Sequence, residues 1–268
     1  MQEGKTTMND VLIHIAETGV ATVTINRPEH RNAFTMATVE ALTEAFSGLA
    51  GDQAIRAVIL TGAGRAFSAG GDLNWMRGVL QDPDGLGREG AAQISRLLQA
   101  IDTMPCPVVA RINGPAFGGG FGLICAADIA IASTAASFGL SEVRLGVVPG
   151  SISPFVLRRL GPAAVRAFCL TGAALDTQTA LRTGLVHRAV PPEELDLAVA
   201  EVMASILQSS PVAIAISKRL VRQMSAAPHE DWVGLGLDAI TTAWKTEDAR
   251  EGIGAFLEKR APSWSVTP

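Results

Sequence analysis

Two glycine-rich turns in this 268-residue sequence have the residue types and spacing to hold a negatively charged oxygen. Each follows an apolar segment typical of a buried strand and precedes a segment that begins a helix: ILTGAGRAFSAGGDL over 59–73 and VARINGPAFGGGFGL over 109–123. Backbone N–H groups at a helix start lack partners within the helix, and glycine lets another molecule approach them. Two such groups aimed at one point form an oxyanion hole, which stabilises charge on a carbonyl oxygen. Glycines that only permit tight packing are the alternative.

The composition is that of an acidic globular chain with enough apolar residues for a large core. Hydrophobic residues make up 48% and charged residues 18%, with a net charge of -4 and a pI near 5.6. Phosphate binding needs clustered lysine and arginine, so we expect no nucleic-acid partner. The longest uncharged run, 112–127, is interrupted by five glycines and a proline and is too short to span a bilayer. The first ten residues lack the apolar segment of a secretory signal. We therefore expect no membrane association.

No pattern in the sequence predicts a metal site or a bound cofactor. Cys106, Cys125 and Cys169 lie far apart in apolar surroundings, which is typical of reduced core residues in a cytoplasmic protein. The four histidines fit no metal-ligand spacing. The turn TGAGRAF over 61–67 has phenylalanine where a dinucleotide-binding loop has its third glycine.

Strands and helices alternate over most of the chain, which predicts a parallel or mixed α/β core. VLIHIAETGVATVTINRP over 11–28 alternates apolar residues around a turn and predicts a β-hairpin. TMATVEALTEAFSGLA over 35–50 has apolar residues at helical spacing, with Thr35 as the expected N-cap. From Glu193 onward the periodicity is almost entirely helical.

Two further segments carry local predictions. Residues 81–90, QDPDGLGREG, are rich in glycine and aspartate and predict a loop. We interpret this loop as a candidate lid, with a passive surface loop as the alternative. SPFVLRRLG over 153–161 predicts a helix with Ser153 as its N-cap and Pro154 in its first turn.

Six segments together make the sequence similar to the enoyl-CoA hydratase/isomerase (crotonase) superfamily over nearly its whole length. They occur in family order and spacing: TINRPEHRNAF, ILTGAGRAFSAGGDL, NGPAFGGGFGL, ADIAIASTAASFGLSEVRLGVVPG, TGAALDTQTALRTGLVHRAV and EGIGAFLEKRAPSW. The resemblance implies a crotonase fold, with a repeated ββα core over 1–195 and a C-terminal helical region over 196–268. It implies a homotrimer or a hexamer made of two trimers. It also implies an acyl-coenzyme A thioester substrate, in which coenzyme A is part of the substrate and no separate cofactor is needed.

The resemblance also implies roles for individual positions. The backbone N–H groups of Gly71 and Gly119 would hold the thioester carbonyl oxygen, and losing one such donor typically costs about 3 kcal/mol of transition-state stabilisation. The positions expected to line the coenzyme A site are Arg31, Asn32, Ala33, Ser68, Ala69, Asp72 and Leu73. Phe256 and Lys259 match C-terminal positions that often reach the coenzyme A of a neighbouring subunit.

One catalytic position departs from the family pattern. Family hydratases commonly carry two glutamates around the catalytic water; the second matches Glu142, whereas the position of the first is Gly122 here. A single carboxyl can still take a proton from water and deliver one to C2 if both steps occur on the same face. Isomerisation needs one carboxylate, which moves a proton from C2 to C4. Both reactions make Glu142 the central residue.

The sequence around these residues resembles one branch of the superfamily, the methylglutaconyl-CoA hydratase-like branch. Ser-Ile-Ser-Pro over 151–154 stands where many hydratases have a glycine-rich run. Substrates of that branch carry a distal carboxylate, for which the candidate partners are Arg77, Arg88 and Arg144. Trp75 and Met76, on a predicted short helix, are expected to line the acyl pocket together with Gly122, and burial in the core is the alternative.

The sequence thus predicts a hydratase that acts on a 2-enoyl-CoA thioester, and other functions stay open. An isomerase is the first alternative, and a decarboxylase or hydrolase on the same scaffold is a weaker one. A non-catalytic acyl-CoA binding protein is the alternative from another class, because one carboxylate is missing. RNA binding, known for one relative, would need a lysine-rich helix, and the helix over 35–50 contains no lysine.

Overall fold

The structure is a computed structural model that describes residues 10–266, within which strands and helices alternate as predicted. The strands are β1 (Val11–Ile15), β2 (Val20–Ile25), β3 (Ala57–Gly62), β4 (Val108–Ile112), β5 (Ala116–Phe117), β6 (Ile129–Ser133), β7 (Ser137–Gly139), β8 (Leu175–Asp176) and β9 (Arg188–Val190). The helices are α1 (Met36–Gly51), α2 (Leu73–Val79), α3 (Arg88–Asp102), α4 (Gly119–Ala126), α5 (Ser153–Thr171), α6 (Thr177–Arg182), α7 (Leu195–Leu207), α8 (Pro211–Ala226), α9 (Trp232–Trp244) and α10 (Glu247–Leu257).

Six strands form the main sheet, in the order β1-β2-β3-β4-β6-β9. β1 and β2 pair antiparallel, with Val11 opposite Ile25, so the predicted hairpin is confirmed. All other neighbours in this sheet pair parallel, as helical crossovers between strands require. Helices cover both faces, which is why β3 and β4 are nearly continuous apolar runs and do not alternate.

The core is divided between the two faces of the main sheet. On one face, α1, α3 and α4 bury their apolar residues, including Leu42, Leu98 and Phe121, against the strands. On the other face, α7 packs Leu195 and Val199 onto the same strands. The Thr35 side chain accepts the N–H of Thr38 at 3.1 Å, so the predicted N-cap of α1 is confirmed.

A small second sheet, in the order β5-β7-β8, leads directly into α4. The Gly118 N–H donates to the Gly139 carbonyl at 3.0 Å and continues the β5–β7 pairing. At Gly118 the backbone then turns with a φ of +50° and α4 begins at the next residue. Glycine adopts such a φ without steric penalty, so this glycine permits the direct change from strand to helix.

Two local predictions are wrong. Residues 81–90 are not a loop throughout, because Pro83–Gly87 form a π-type turn and α3 already begins at Arg88. The Asp82 carboxylate accepts N–H groups of this turn and acts as a cap. Ser153 is not an N-cap: Ile152 holds that position, and the Ser153 hydroxyl donates to the Pro149 carbonyl at 2.6 Å.

The C-terminal helices are joined to the core by charged side chains. Lys218 on α8 donates to the Asp128 carboxylate at 2.6 Å and to the Cys106 carbonyl at 3.1 Å. Within residues 10–266, no individual helix has both the length and the apolar character needed to cross a bilayer. Among the described helices, one bent pair, Pro192–Leu207 with Pro211–Ala226, has the length and composition to cross a bilayer. The two helices of this pair form an angle of 105°.

Candidate active site

The two glycine turns that the sequence singled out lie against each other. The Ser68 N–H donates to the Pro115 carbonyl at 3.2 Å, and the Phe117 N–H donates to the Ser68 carbonyl at 2.9 Å. A β-carbon added to Gly70 would lie 2.9 Å from the Phe117 oxygen and 3.3 Å from the Gly119 nitrogen. Gly70 also has a φ of +88°. This close backbone approach explains the glycine at position 70.

The N–H group of Gly71 points away from the strand segment that positions this residue. Phe34 pairs with Gly71 in a parallel bridge that uses the Gly70 carbonyl and the Asp72 N–H, at 2.6 and 2.8 Å. In such a bridge the central residue directs its own N–H to the opposite side. Within residues 10–266, neither Gly71 nor Gly119 donates its N–H to an acceptor. Both N–H groups can therefore bind an oxygen atom of a ligand.

Buried hydrogen bonds of Asn32 fix the first glycine turn. Its side chain donates to the carbonyls of Ala63 and Ala66, at 2.9 and 2.7 Å, and accepts the N–H of Arg27 at 2.9 Å. Asn32 has a φ of +56°, a conformation that asparagine tolerates better than most residues. The side chain thereby ties the 27–32 turn to the turn that leads to Gly71.

The Ser68 hydroxyl continues this network toward Gly71. It donates to the Asn32 carbonyl at 2.8 Å and accepts the Gly70 N–H at 3.2 Å. Asn32 and Ser68 are both fully buried, so their side chains hold the turn and present no surface to a ligand. The part of Asn32 and Ser68 in lining the coenzyme A site stays a prediction.

Glu142 lies beside the second glycine turn, at the start of a short 3-10 helix, Glu142–Leu145. A β-carbon added to Gly118 would lie 3.3 Å from its Oε1 atom. Its Oε2 atom is buried and has no hydrogen-bond partner within residues 10–266. Burial raises the pKa of the Glu142 carboxyl above its ordinary value, and a hydrogen bond from its own backbone opposes this shift in part. A raised carboxyl pKa suits a group that both accepts and returns a proton.

Hydrocarbon fills the space beside Gly122, where the first family glutamate would stand. A β-carbon added to Gly122 would lie 2.6 Å from Cγ2 and 2.9 Å from Cβ of Ile152, and 3.3 Å from Cδ1 of Leu98. Ile152 is 3% exposed and Leu98 is 1% exposed, so neither can move aside into solvent. Sequence reasoning noted the unusual 151–154 segment but did not identify Ile152 as the residue that occupies this space.

Comparison with known proteins decides the family. The sequence model described as enoyl-CoA hydratase/isomerase matches residues 16–266. The chain belongs to the enoyl-CoA hydratase/isomerase family. It is similar to the carnitinyl-CoA dehydratase of Salmonella typhi, with 37% identity over 260 residues that cover 94% of this chain and 97% of that protein.

Solved structures of family members match this enzyme over almost all of its length. An enoyl-CoA hydratase from Shewanella pealeana superposes with a TM-score of 0.91 at 32% identity, covering 98% of this chain and 100% of that one. An enoyl-CoA hydratase from Mycobacterium smegmatis gives 0.91 at 32% identity, covering 96% and 99%. The crotonase fold predicted from the sequence is thus confirmed, and so is the enzyme class.

Aromatic and thioether side chains of this crotonase-family enzyme surround its two glycines. A β-carbon added to Gly71 would lie 2.6 Å from the Met76 methyl carbon and 3.6 Å from the Trp75 ring. A β-carbon added to Gly119 would lie 2.6 Å from the Phe34 ring. Trp75 and Met76 are partly buried and lie next to Gly71, and their part in lining the acyl pocket stays a prediction. Phe34 was not predicted.

The other predicted coenzyme A positions of the enzyme differ in exposure. Asp72 caps α2 by accepting the N–H of Asn74 at 2.8 Å. Lys259 follows α10 with a φ of +57°. Ala33 is partly buried, and the exposed residues of the set are Arg31, Ala69, Leu73, Phe256 and Lys259. Assignments of all these residues to coenzyme A stay predictions.

The three arginines that are candidate partners of a distal carboxylate differ in where their side chains lie. The Arg144 side chain lies against the C-terminal end of α5. A β-carbon added to Gly172, the residue after this helix, would lie 3.0 Å from the Arg144 Nε atom. Arg77, on α2, and Arg88, the first residue of α3, are exposed. Burial is the main cause of the raised pKa of the Glu142 carboxyl.

Two cavities, of about 250 and 320 Å³, lie at the junction of α3, α5 and α8 and not at the glycine turns. Ion pairs join their walls, including Lys218 with Asp128 and Arg158 with Asp102. The first pair joins α8 to the segment after α4, and the second joins α5 to α3. In the part of the chain that the structure describes, no three His, Cys, Asp or Glu side chains are grouped to bind a metal.

Proposed function

We propose that this enzyme hydrates a 2-enoyl-CoA thioester and uses Glu142 as its one acid–base residue. One observation carries the proposal: the Glu142 carboxyl, whose Oε2 atom is buried, lies beside Gly118, next to the N–H groups of Gly71 and Gly119, which donate to no acceptor within residues 10–266. Such N–H groups stabilise an oxygen that becomes negative, and the neighbouring carboxylate can take a proton from water and give it to C2, the carbon bonded to that carbonyl. The reaction needs no metal or additional cofactor.

In the proposed reaction the thioester carbonyl oxygen accepts hydrogen bonds from the Gly71 and Gly119 amides. The Glu142 carboxylate takes a proton from water as the water oxygen bonds to C3. The electrons of the C2=C3 bond pass to the carbonyl oxygen, and the two amides stabilise this enolate. The protonated Glu142 then returns its proton to C2, so one water molecule is added and the carboxylate is regenerated.

For the acyl group, we propose a short branched chain similar to that of methylglutaconyl-CoA. Exposed Arg77, on the helix that carries Trp75, and exposed Arg88, on the helix whose Gly90 packs against Trp75, support an acyl group with a distal carboxylate. A carnitinyl-CoA substrate, such as the name of the Salmonella typhi relative indicates for that protein, carries a quaternary ammonium instead. Because these acyl groups have opposite charges, turnover of one and rejection of the other distinguishes them.

The apolar contacts of Gly122 favour a second candidate, the isomerisation of a 3-enoyl-CoA to a 2-enoyl-CoA. Ile152 and Leu98 exclude a second carboxylate there, and isomerisation requires only one. The ultraviolet absorbance of the conjugated thioester decides between the reactions. Hydration removes that absorbance, whereas isomerisation creates it.

Turnover of a small thioester panel by the wild type and by Glu142→Gln tests the proposal. The panel contains crotonyl, 3-enoyl, 3-methylglutaconyl and carnitinyl thioesters, with each product identified. We expect the substitution to lower kcat by about 10²- to 10⁴-fold, the usual contribution of a general acid–base residue. The matched control is Glu44→Gln on the exposed face of α1, which should keep wild-type turnover. Full turnover by Glu142→Gln would exclude the proposed mechanism, and binding of every thioester without turnover would indicate a non-catalytic protein.

A further inference from the structure

The segment from Glu142 to Ile152 crosses α4 so that its two ends contact successive turns of the helix. Glu142 lies over Gly118, and Ile152 lies over Gly122. The Gly122 N–H donates to the Gly118 carbonyl at 3.0 Å, so the two glycines are one helical turn apart. Four residues correspond to about 6 Å along a helix axis, and residues at this spacing share one face. On one face of α4, the Glu142 carboxyl therefore lies beside the first turn, and the Ile152 side chain lies beside the next turn.

The backbone on both sides holds Ile152 in place. The Ser95 hydroxyl on α3 donates to the Ser151 carbonyl at 3.3 Å, and the Ser153 hydroxyl donates to the Pro149 carbonyl at 2.6 Å. Ile152 is also the N-cap residue of α5. A side chain anchored in this way and only 3% exposed forms a fixed wall.

We propose that Ile152 is a specificity-determining residue that limits the length of the acyl group. This inference rests on the proposed function, because it takes the thioester carbonyl to be bound at Gly71 and Gly119. An acyl chain that leaves this carbonyl, passes Glu142 and follows α4 reaches Ile152 after about one helical turn, or about 6 Å. The wall therefore favours short or compact acyl groups over long straight chains.

A cavity of about 320 Å³ between α3 and α5 lies close to this wall. It is lined by Ser151 and Pro154, one and two residues from Ile152 in the sequence. Alanine at position 152 removes Cγ2, the atom nearest Gly122, whereas valine removes only Cδ1. We therefore expect a shorter side chain at position 152 to admit longer acyl groups.

Substrate preference in Ile152 variants tests the inference. The ratio of kcat/KM for 2-decenoyl-CoA to kcat/KM for crotonyl-CoA is measured for the wild type, Ile152→Val and Ile152→Ala. We expect the ratio to rise at least tenfold in the alanine variant and by a smaller factor in the valine variant. The matched control, Ile206→Ala, removes the same atoms from α7 on the opposite face of the main sheet and should leave the ratio unchanged.

A binding measurement separates failure of this inference from failure of the proposed hydration. Titration calorimetry gives the ratio of Kd values for the saturated thioesters decanoyl-CoA and butyryl-CoA, which requires no turnover. The inference predicts that this ratio also shifts toward decanoyl-CoA in Ile152→Ala. Unchanged ratios in a folded Ile152→Ala protein would overturn the role of Ile152 and leave that of Glu142 intact. If the alanine variant does not fold, the direction of the shift in Ile152→Val decides in the same way.

Discussion

At the scale of the single residue, burial of Glu142 links its environment to the pH dependence of the reaction. The carboxyl must be ionised to take a proton from water, and burial raises its pKa above the ordinary value of 4.5. We therefore expect kcat/KM to fall on the acidic side with an apparent pKa above 4.5. A pH profile of kcat/KM between pH 4 and 9 gives this value, and an acidic limb at or below 4.5 would contradict the assignment.

The same shift predicts how the stability of the enzyme depends on pH. With a folded-state pKa above the unfolded-state pKa, the folded state binds more protons between the two values, and its free energy of unfolding falls as pH rises through that range. Glu142→Gln keeps the side chain uncharged and removes this loss. We expect a higher Tm for the variant at pH 7 and the same Tm for both proteins well below pH 4.5. Thermal unfolding at several pH values measures the difference.

Gly122 and Ile152 form a pair whose substitutions should not be additive. Gly122→Ala places a methyl group against Ile152, and overpacking of this kind lowers the free energy of unfolding by about 1–3 kcal/mol. Ile152→Ala removes Cγ2, the atom that would lie 2.6 Å from this methyl group, so the double variant should recover part of that loss. Urea denaturation of the four proteins of this double-mutant cycle measures the coupling energy. Strict additivity would show that the two side chains do not compete for the same space.

A residue of the candidate site could be predicted from the sequence where it occupies a defined position in a recognisable motif. Gly71, Gly119 and Glu142 are such residues, and the structure brings their segments together. Ile152 could not be predicted, because its contact with Gly122 depends on how a distant segment folds over α4. The Asn32 and Ser68 side chains were expected near a ligand, but their polar atoms satisfy buried backbone groups.

At the scale of the element, the bend of α5 depends on one glycine. Gly161 has a φ of +72° and interrupts the helix, with Pro162 after it. No atom of the described chain lies within 4 Å of the place of its β-carbon, so backbone conformation alone disfavours other residues. We expect Gly161→Ala to lower the free energy of unfolding by about 1–2 kcal/mol.

Gly48 provides the opposite control for that substitution. It lies within α1 without a positive φ, and its β-carbon would also meet no atom of the described chain within 4 Å. Gly48→Ala should therefore raise the free energy of unfolding by roughly 0.5–1 kcal/mol, because alanine favours a helix more than glycine does. Chemical denaturation of both variants tests the pair, and equal effects would exclude a conformational origin.

Elements could be predicted where the signal is local. The hairpin and the Thr35 cap follow from alternation and from one hydroxyl next to a helical pattern. The 81–90 segment and Ser153 were assigned wrongly because the same small polar residues occur in loops, caps and helix starts. The second half of α5 was missed because Gly161 and Pro162 are typical of a helix end.

At the scale of the whole molecule, apolar side chains remain exposed on the last two helices. The larger ones are Trp232, Val233, Leu237, Ile240, Trp244, Ile253, Phe256 and Leu257. Surfaces of this kind usually mark an interface between proteins. We therefore expect the chain of 27.9 kDa to associate with itself, and the family resemblance implies a homotrimer or a hexamer, with three or six times this mass in light scattering. A monomeric mass at micromolar concentration would contradict this prediction.

Because Glu142 and Ile152 lie at the two ends of one continuous segment, a single graft could exchange both between family members. Replacing residues 142–152 with the equivalent stretch of a relative would exchange two residues in one step: the proposed acid–base residue at 142 and the proposed length-limiting residue at 152. Recombination within this gene could likewise alter substrate range while the two oxyanion amides, supplied by other parts of the chain, remained as they are.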